Sequence, residues 1–252
     1  MQTVTLSLFR FDTVPARLWV LGQMGAARLS LARVPGLGFW KLCGSGTGEG
    51  FTPRPNWGVW AILAGWNNAA TARDQTTQAP VFRRWRARAS EAYTVFLEPT
   101  AARGHWAGVQ PFAPEPDPEP GPEPAPEPGP EGGPVAALTR ATVKPAHALR
   151  FWGRVPDISA RIGADPNVLF KIGIGEVPLL HQVTFSVWPD AARMAAFART
   201  GPHAEAIRAV RENHWFNEEL YARFRLTGTA GRWQGGDPLA PALSADHIKE
   251  PA

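Results

Sequence analysis

The chain has 252 residues, of which 44% are apolar, with a formal net charge of +4 and a single cysteine. This length allows one large domain or two small ones. One cysteine excludes an internal disulfide and a four-cysteine metal or iron–sulfur site. The start, MQTVTLSLFRF, lacks the features of a signal peptide, and no run of about 18 apolar residues is present to span a membrane. We therefore expect a soluble or peripheral protein of a reducing compartment.

The first half of the sequence alternates strand-like and helix-like segments. The run TVTLSLFRF alternates as a strand does, and a helical stretch follows it. The segment GSGTGEG lacks the Gly-Lys-Ser/Thr of a phosphate-binding loop, so its glycines indicate a hairpin, a bulge or close approach to a flat ligand. The predicted elements are a strand over 3–11, a helix over 17–28, the glycine-rich segment 39–51, a strand over 59–66, a helix over 79–88 and a strand over 93–97.

A proline-rich segment, residues 111–134, follows the first half. Eleven of its 24 residues are proline and six are acidic. We expect an extended spacer of up to ~75 Å, at ~3.1 Å per residue, with a ligand for a proline-binding module as the alternative. Without this segment the chain has 26 basic and 16 acidic residues, a net charge of +10. Such a surface suits an anionic membrane face or an acidic protein, and no nucleic-acid-binding signature is present.

The second half repeats the order of the first. The segment FKIGIGE echoes FWKLCGSGTGEGF, and GRWQG near the end echoes GHWAG. Offsets between matching segments stay between 122 and 132 residues. The predicted elements are a strand over 135–143, a helix over 146–162, the glycine segment 170–176, a strand over 183–188, a helix over 201–210 and a strand over 220–226.

Each half therefore reads β-α-β-β-α-β, which is the ferredoxin-like arrangement. A sheet with helices on one face needs a second layer for its other face, and a second such sheet supplies it. The predicted class is α+β, with tandem ferredoxin-like repeats forming a fused dimeric α/β-barrel-like unit. The predicted boundaries are 1–110 for the first repeat, 111–134 for a disordered linker, 135–240 for the second repeat and 241–252 for a tail.

Eleven tryptophans against two tyrosines supply wide apolar surfaces with few hydroxyls. Each single tryptophan is typical of a core, but together they allow a large pocket for a long or planar apolar ligand. We predict that aromatic residues of both repeats line this pocket, namely Trp40, Trp60, Phe170, Phe185 and Trp188.

The histidine that we single out is His203. It follows TGP, with a proline suited to a first helical turn, and it shares a helix face with Ile207 and Val210. Because a helix N-terminus disfavours imidazolium, His203 keeps a neutral nitrogen for a metal. It is either a buried core histidine or the axial ligand of a haem. The second repeat therefore carries the proposed haem ligand.

Cations beside such a site would hold the propionates of a haem, and the candidates are Arg208, Arg211 and Lys171, unless they are simply solvated. The alternative metal ligands are His181 and Cys43, although a cysteine among glycines also suits a small buried position. No serine lies in a nucleophile elbow, so catalytic residues stay unassigned.

Three long segments carry a family resemblance: RLWVLGQMGAARLSLARVPGLGFWKLCGSGTGEGF, DPNVLFKIGIGEVP and HQVTFSVWPDAARMAAFA. With them the chain resembles the spheroidene monooxygenase family, the acyclic carotenoid 2-ketolases of purple photosynthetic bacteria. The likeness runs from Met1 to about Ala242 and leaves out the proline-rich segment.

The resemblance implies a haem iron enzyme of carotenoid biosynthesis. It would use O2 and reduced ferredoxin to form a keto group at C-2 of an acyclic carotenoid through two hydroxylations. It also implies a cytoplasmic protein in peripheral contact with the photosynthetic inner membrane. A histidine near the second helix binds iron in haem-binding members of the same fold class, which supports His203 by analogy. The alternatives are a cofactor-free monooxygenase of this fold and a non-enzymatic haem or pigment carrier.

Overall fold

The computed structural model of the chain describes residues 1–48, 50, 52–114, 133–148, 150–153, 165–199 and 215–247. Within these ranges the chain forms eight strands, five helices, the start of a further helix at 148 and 150–153, and one short 3-10 turn at Pro145–His147. In chain order the elements are β1 (Thr3–Arg10), α1 (Val14–Leu31), β2 (Leu37–Gly46), β3 (Pro55–Trp66), α2 (Ala69–Gln78), α3 (Pro80–Arg88), β4 (Glu91–Gly104), β5 (Val135–Val143), β6 (Phe170–Gly175), β7 (His181–Trp188), α4 (Ala191–Arg199), β8 (Phe216–Gly231) and α5 (Ala240–His247).

The eight strands close into one antiparallel barrel in the order β1-β3-β2-β6-β7-β5-β8-β4. Each half contributes four consecutive strands of this barrel, and within a half the first and third strands lie in the centre, as in a ferredoxin-like sheet. Strand β2 pairs with β6 at one junction between the halves, and β4 pairs with β8 at the other. The predicted fold class is therefore confirmed, and the two sheets join at their edges as well as covering each other.

The barrel interior is packed with apolar side chains. On β1 the inward residues are Val4, Leu6 and Leu8, all of which have no exposed surface. Burying each of them stabilises the fold by about 1.5–3 kcal/mol. An eight-stranded barrel is just wide enough for its own side chains to fill. Its two ends are closed by buried residues that follow β4 and β8: Trp106 and Phe112 at one end, Trp233 and Leu239 at the other.

Helices α1, α2 and α3 cover the outward face of the first sheet. The side chain of Thr13 caps α1 by accepting a hydrogen bond from Ala16 N, and Asn68 caps α2 in the same way. Beneath α3, Trp85 lies edge-on to Phe9 with ring centroids 5.2 Å apart. This layer forms a second apolar core, separate from the barrel interior.

The structure has three helices, α2, α4 and α5, that the sequence analysis did not predict. Helix α2 was not predicted, because its residues carry no apolar periodicity. The helix predicted over 146–162 is described only at its start, since residues 154–164 lie outside the described part, as does the whole of 201–210. Helix α5 occupies residues predicted as a tail.

The sequence alignment of the two glycine segments, 39–51 and 170–176, differs by one residue from their structural alignment. Lys41 was matched with Lys171, but on β2 the inward residues are Phe39 and Cys43, so Lys41 also points inward. On β6 the inward residues are Phe170 and Ile172, so Lys171 points outward. Because side chains alternate along a strand, a shift of one residue places the two lysines on opposite faces of the sheet.

Candidate functional site

The outward face of the second sheet is lined by small and polar side chains. We call this surface the second outer face and define it by outward residues of β5 to β8: Ala137, Thr139, Ala141, Lys171, Gly173, Thr184, Ser186, Tyr221 and Arg223. Most of them are half-buried. Their alternation is that of ordinary strands, with the apolar inward residues between them.

The corresponding face of the first sheet carries large apolar side chains. Strand pairing defines equivalent positions, since Leu6 pairs with Leu63 as Leu138 pairs with Phe185. By this register the first repeat has a larger apolar residue at four equivalent positions of the face. The pairs are Phe9 and Ala141, Leu42 and Gly173, Ile62 and Thr184, and Phe96 and Arg223. The second outer face therefore carries smaller side chains at three of these positions and a charged one at the fourth, where the first face carries large apolar side chains.

Cationic and hydroxyl groups lie on this second face. Lys171 and Arg223 are half-buried there, and Lys171 pairs across the strands with Ser186. The Ser186 hydroxyl accepts a hydrogen bond from Trp188 Nε1 at 3.0 Å. Tyr221 donates its hydroxyl proton to Glu219 at 3.1 Å and has the Arg103 guanidinium 5.4 Å from its ring centroid. A flat apolar ligand with acidic substituents suits such a surface, because small residues admit the ring and cations bind the acids.

The predicted site residues fall in different parts of the molecule. His203, Arg208 and Arg211 lie outside the described residues, so the haem-ligand prediction stays a prediction. Lys171 lies on the second outer face.

The five aromatic residues predicted to line a pocket are divided among three layers. Phe170 and Phe185 contact each other inside the barrel, with ring centroids 6.3 Å apart. Trp40 and Trp60 belong to the core under the first repeat's helices. Trp188 points outward on β7 and packs on Phe197 of α4 at 5.0 Å. Of the five, Trp188 alone therefore borders the second outer face, and the pocket role of all five stays a prediction.

A cluster of charged residues lies at one end of the barrel, which we call the Arg140 end. Arg140 follows Ala136 and Leu138 in the inward register of β5, and its side chain is only 3% exposed. It forms an ion pair with Glu218, whose carboxylate also accepts hydrogen bonds from the backbone N–H groups of Ala107 and Gly108. Burial acts to raise the pKa of Glu218, but those two N–H groups and the Arg140 guanidinium outweigh it, so the pKa lies below its ordinary value.

Glu176 joins three further groups at the same end. It accepts a hydrogen bond from Trp106 Nε1 at 2.6 Å and forms an ion pair with Lys41 at 3.1 Å. His181 Nδ1 lies 3.7 Å from the Glu176 carboxylate and has no hydrogen-bond partner among the described residues. Burial lowers the pKa of His181, Glu176 acts to raise it, and the nearby cations Arg140 and Lys41 act to lower it, with a net lowering. His181 is therefore held neutral at neutral pH.

Cys43 lies inside the barrel with no exposed surface. Burial, and then the charge of Glu176, raise the pKa of its thiol well above the ordinary value, so the thiol stays protonated. A protonated thiol among packed side chains behaves as a small apolar residue. This environment favours the buried-residue interpretation of Cys43 over that of a metal ligand. Within the described ranges, no three His, Cys, Asp or Glu side chains come together as metal ligands would.

The opposite end of the barrel, the Arg10 end, carries a simpler version of this cluster. Arg10 pairs with Glu91 at 2.8 Å, and Glu91 accepts hydrogen bonds from the backbone N–H groups of Gln234 and Gly235. The Arg10 guanidinium lies 4.7 Å from the ring centroid of Trp233. These end clusters were missed by the sequence reasoning, although a charged residue in the inward phase of a strand, as in VAALTRATV, would have indicated one.

Two solved structures of aldoxime dehydratase resemble this structure over nearly its whole length. One superposes with a TM-score of 0.60, covering 97% of this chain and 88% of that chain, at 11% sequence identity. The other, in complex with butyraldoxime, gives a TM-score of 0.59 at 11% identity and covers 97% and 86%. Such low identities show the fold alone. The protein is thus of the fused dimeric α/β-barrel class, with two ferredoxin-like repeats in one polypeptide.

Sequence relatives identify the family within this class. The chain is 57% identical to spheroidene monooxygenase of Rhodobacter capsulatus over 95% of this chain and 96% of the relative. It is 53% identical to that of Cereibacter sphaeroides over 100% and 75%, and 34% identical to that of Rubrivivax gelatinosus over 91% and 85%. The chain belongs to the spheroidene monooxygenase family and is a monooxygenase of the oxidoreductase class. No protein-family profile matches the chain.

Proposed function

We propose that the protein is a haem-dependent monooxygenase that forms a keto group at C-2 of an acyclic carotenoid, converting spheroidene to spheroidenone. The observation that carries the proposal is the 57% identity to a spheroidene monooxygenase along nearly the full length of both chains. Identity at this level, without large unmatched segments, favours a shared substrate class. Family membership alone does not specify the cofactor, but the residues of the second outer face favour haem.

We place the haem on the second outer face, which combines small side chains with the cations Lys171 and Arg223. It carries Ala141, Gly173 and Thr184 at the positions where the first repeat has Phe9, Leu42 and Ile62. Lys171 and Arg223 would hold the propionates, with Arg208 and Arg211 as further candidates outside the described residues. His203 is the proposed iron ligand. Haem, when bound, would supply the activation of O2.

The reaction needs two successive hydroxylations at one carbon. Each consumes one O2, two electrons and two protons, and releases one water while placing one hydroxyl group on C-2. Two hydroxyl groups on one carbon form a gem-diol, which loses water to give the ketone. A ferredoxin-type donor is the proposed electron source, and the basic surface of the folded repeats suits an acidic donor. The protein's part is to orient the apolar end of the polyene and to keep water away.

The substrate class also implies contact with a membrane, since an acyclic carotenoid dissolves there. We propose a cytoplasmic protein in peripheral contact with the photosynthetic inner membrane. Among the described helices, none has both the length and the apolar content that a bilayer crossing needs.

The test is the absorption spectrum of the purified protein. A Soret band that shifts when the reduced protein binds carbon monoxide is expected. A colourless protein that still converts spheroidene with O2 would instead support a cofactor-free monooxygenase. A haem protein that gives no product with O2 and a reductant would support a carrier.

The iron ligand is tested by His203→Ala, which should abolish the Soret band at stoichiometric haem loading. The matched control is His105→Ala, because His105 is exposed after β4 and its removal should leave the spectrum unchanged. If His203→Ala keeps the band and His181→Ala removes it, the ligand is His181 and the assignment of His203 is wrong.

A further inference from the structure

Helix α1 exposes a continuous apolar stripe. Four of its large apolar residues face solvent, with exposed fractions of 66% for Val14, 66% for Leu18, 44% for Leu21 and 71% for Leu29. Their spacing places them on one side of the helix, together with Gly25. From Val14 to Leu29 the stripe is about 22 Å long at ~1.5 Å per residue. We call it the α1 stripe.

The opposite side of α1 is also apolar. Val20, Ala27 and Leu31 are fully buried against the first sheet. A helix on the surface of a globular protein normally presents polar residues outward, whereas a helix that is apolar on all sides is normally covered. Large apolar residues thus lie on two opposite sides of α1, and those of the α1 stripe form a surface that a partner could cover.

Arginines on α1 and α3 lie near the stripe. Helices α1 and α3 together contain six arginines and no Asp or Glu. Arg84 Nη2 of α3 donates to Ser30 Oγ of α1 at 3.0 Å, so α3 lies beside the stripe at that point. Near the other end, the Arg88 guanidinium stacks 4.5 Å from the ring centroid of Trp19.

We propose that the α1 stripe, with the exposed arginines Arg28, Arg84 and Arg88, docks the enzyme on the surface of an anionic lipid bilayer. Aliphatic side chains enter the boundary between headgroups and acyl chains, and guanidinium groups bind lipid phosphates beside them. Charge complementarity favours this occupant over a second copy of the chain, because a symmetric contact would bring the same arginines together. This inference rests on the proposed function for its purpose, but its test needs no turnover.

The test is co-sedimentation of the full-length protein with vesicles. Binding to phosphatidylglycerol vesicles should exceed binding to phosphatidylcholine vesicles by about tenfold or more, and salt should weaken it. Leu18→Glu combined with Leu21→Glu should reduce binding to the anionic vesicles by about tenfold or more. Arg28→Glu combined with Arg84→Glu should reduce it to the level of the uncharged vesicles.

The matched control is Val109→Glu combined with Val177→Glu. These two valines are 50% and 40% exposed but lie in turns after β4 and β6, away from α1, so the control should bind as the unaltered protein does. Equal loss in the control, or no loss in the Leu18 and Leu21 variant, overturns the proposal.

A second copy of the chain is the competing occupant of the stripe. If the protein is a dimer in solution, fails to bind vesicles and becomes monomeric on Leu18→Glu with Leu21→Glu, the stripe is a dimer interface and the proposal is wrong. Conversion of detergent-dispersed spheroidene distinguishes a failure of the docking proposal from a failure of the proposed function. It should persist in the Leu18 and Leu21 variant if only docking is lost, whereas its absence in the unaltered protein would count against the proposed function alone.

Discussion

The outward residues of the first and second sheets occupy equivalent strand positions but differ in size and polarity. In the first repeat, Phe9 and Ile62 fill the space under the helices, so that face serves stability. In the second repeat, Ala141 and Thr184 take their places. The two copies of one fold therefore differ, since the first face is packed with large apolar side chains and the second carries small and polar ones, which is where we propose that the ligand binds.

The largest expected effect is on the first face. Phe9→Ala removes a ring that is 1% exposed and lies 5.2 Å from Trp85, so it should lower the free energy of unfolding by about 3–5 kcal/mol. Denaturant unfolding followed by tryptophan fluorescence measures this. The spectrum of the proposed haem should be unchanged in the folded variant, and a lost spectrum would show that the first face also takes part in binding.

The reciprocal change fills the second face. Ala141→Phe combined with Thr184→Ile gives it the side chains of the first face and should weaken the proposed haem binding by about 10- to 100-fold. Titration of haem into the apoprotein, followed at the Soret band, gives the affinity. Circular dichroism serves as the control for folding. Unchanged affinity in a folded variant would place the ligand elsewhere.

The two barrel ends provide a smaller contrast. Glu218→Gln leaves the nearly buried Arg140 unpaired and should cost about 2–3 kcal/mol, whereas Glu91→Gln beside the 29% exposed Arg10 should cost about 1 kcal/mol or less. Both carboxylates have a pKa below 4.5 in the fold, so their stabilisation is present above that pH and is lost as the pH falls through the folded value. In each variant the free energy of unfolding should therefore depend less on pH in the acid range. Equal costs would contradict the burial argument.

The smallest effect concerns His181, whose equivalent position in the first repeat is Val59. Its pKa lies below 6.5 in the fold, so the unfolded chain binds more protons in the interval between the two values. The free energy of unfolding should fall as the pH drops below about 6.5 and level off below the folded pKa. Unfolding measured at about pH 7.5 and about pH 5 should show less pH dependence in His181→Gln than in the unaltered chain.

Much of the fold was predictable from repetition along the sequence. The run VTLSLF alternates as a strand must, and matching segments at similar offsets indicated two equal sheets that share a core. The register was harder to predict, because Lys41 and Lys171 look alike in sequence and only the strand pairing shows that they face opposite sides.

The site was less accessible to sequence reasoning. The residues that distinguish the second outer face, such as Gly173 and Thr184, are unremarkable one at a time. They gain meaning only when each is compared with its structural equivalent in the first repeat. The Arg140 end was missed for a related reason, since Glu176, Glu218 and Trp106 come from distant segments that only barrel closure brings together.

Closure through β4 and β8 also bears on how the chain acquires its structure. Tyr93 pairs with Gly231, so the first sheet lacks a neighbour on that edge until almost the entire polypeptide has left the ribosome. Pairing between such remote segments makes folding slow, and incomplete chains expose their inward surfaces meanwhile. A first repeat produced alone would expose Val4, Leu6 and Leu8 to water, and we expect it to bury them by forming a homodimer. Joining the two repeats in one polypeptide makes that arrangement permanent.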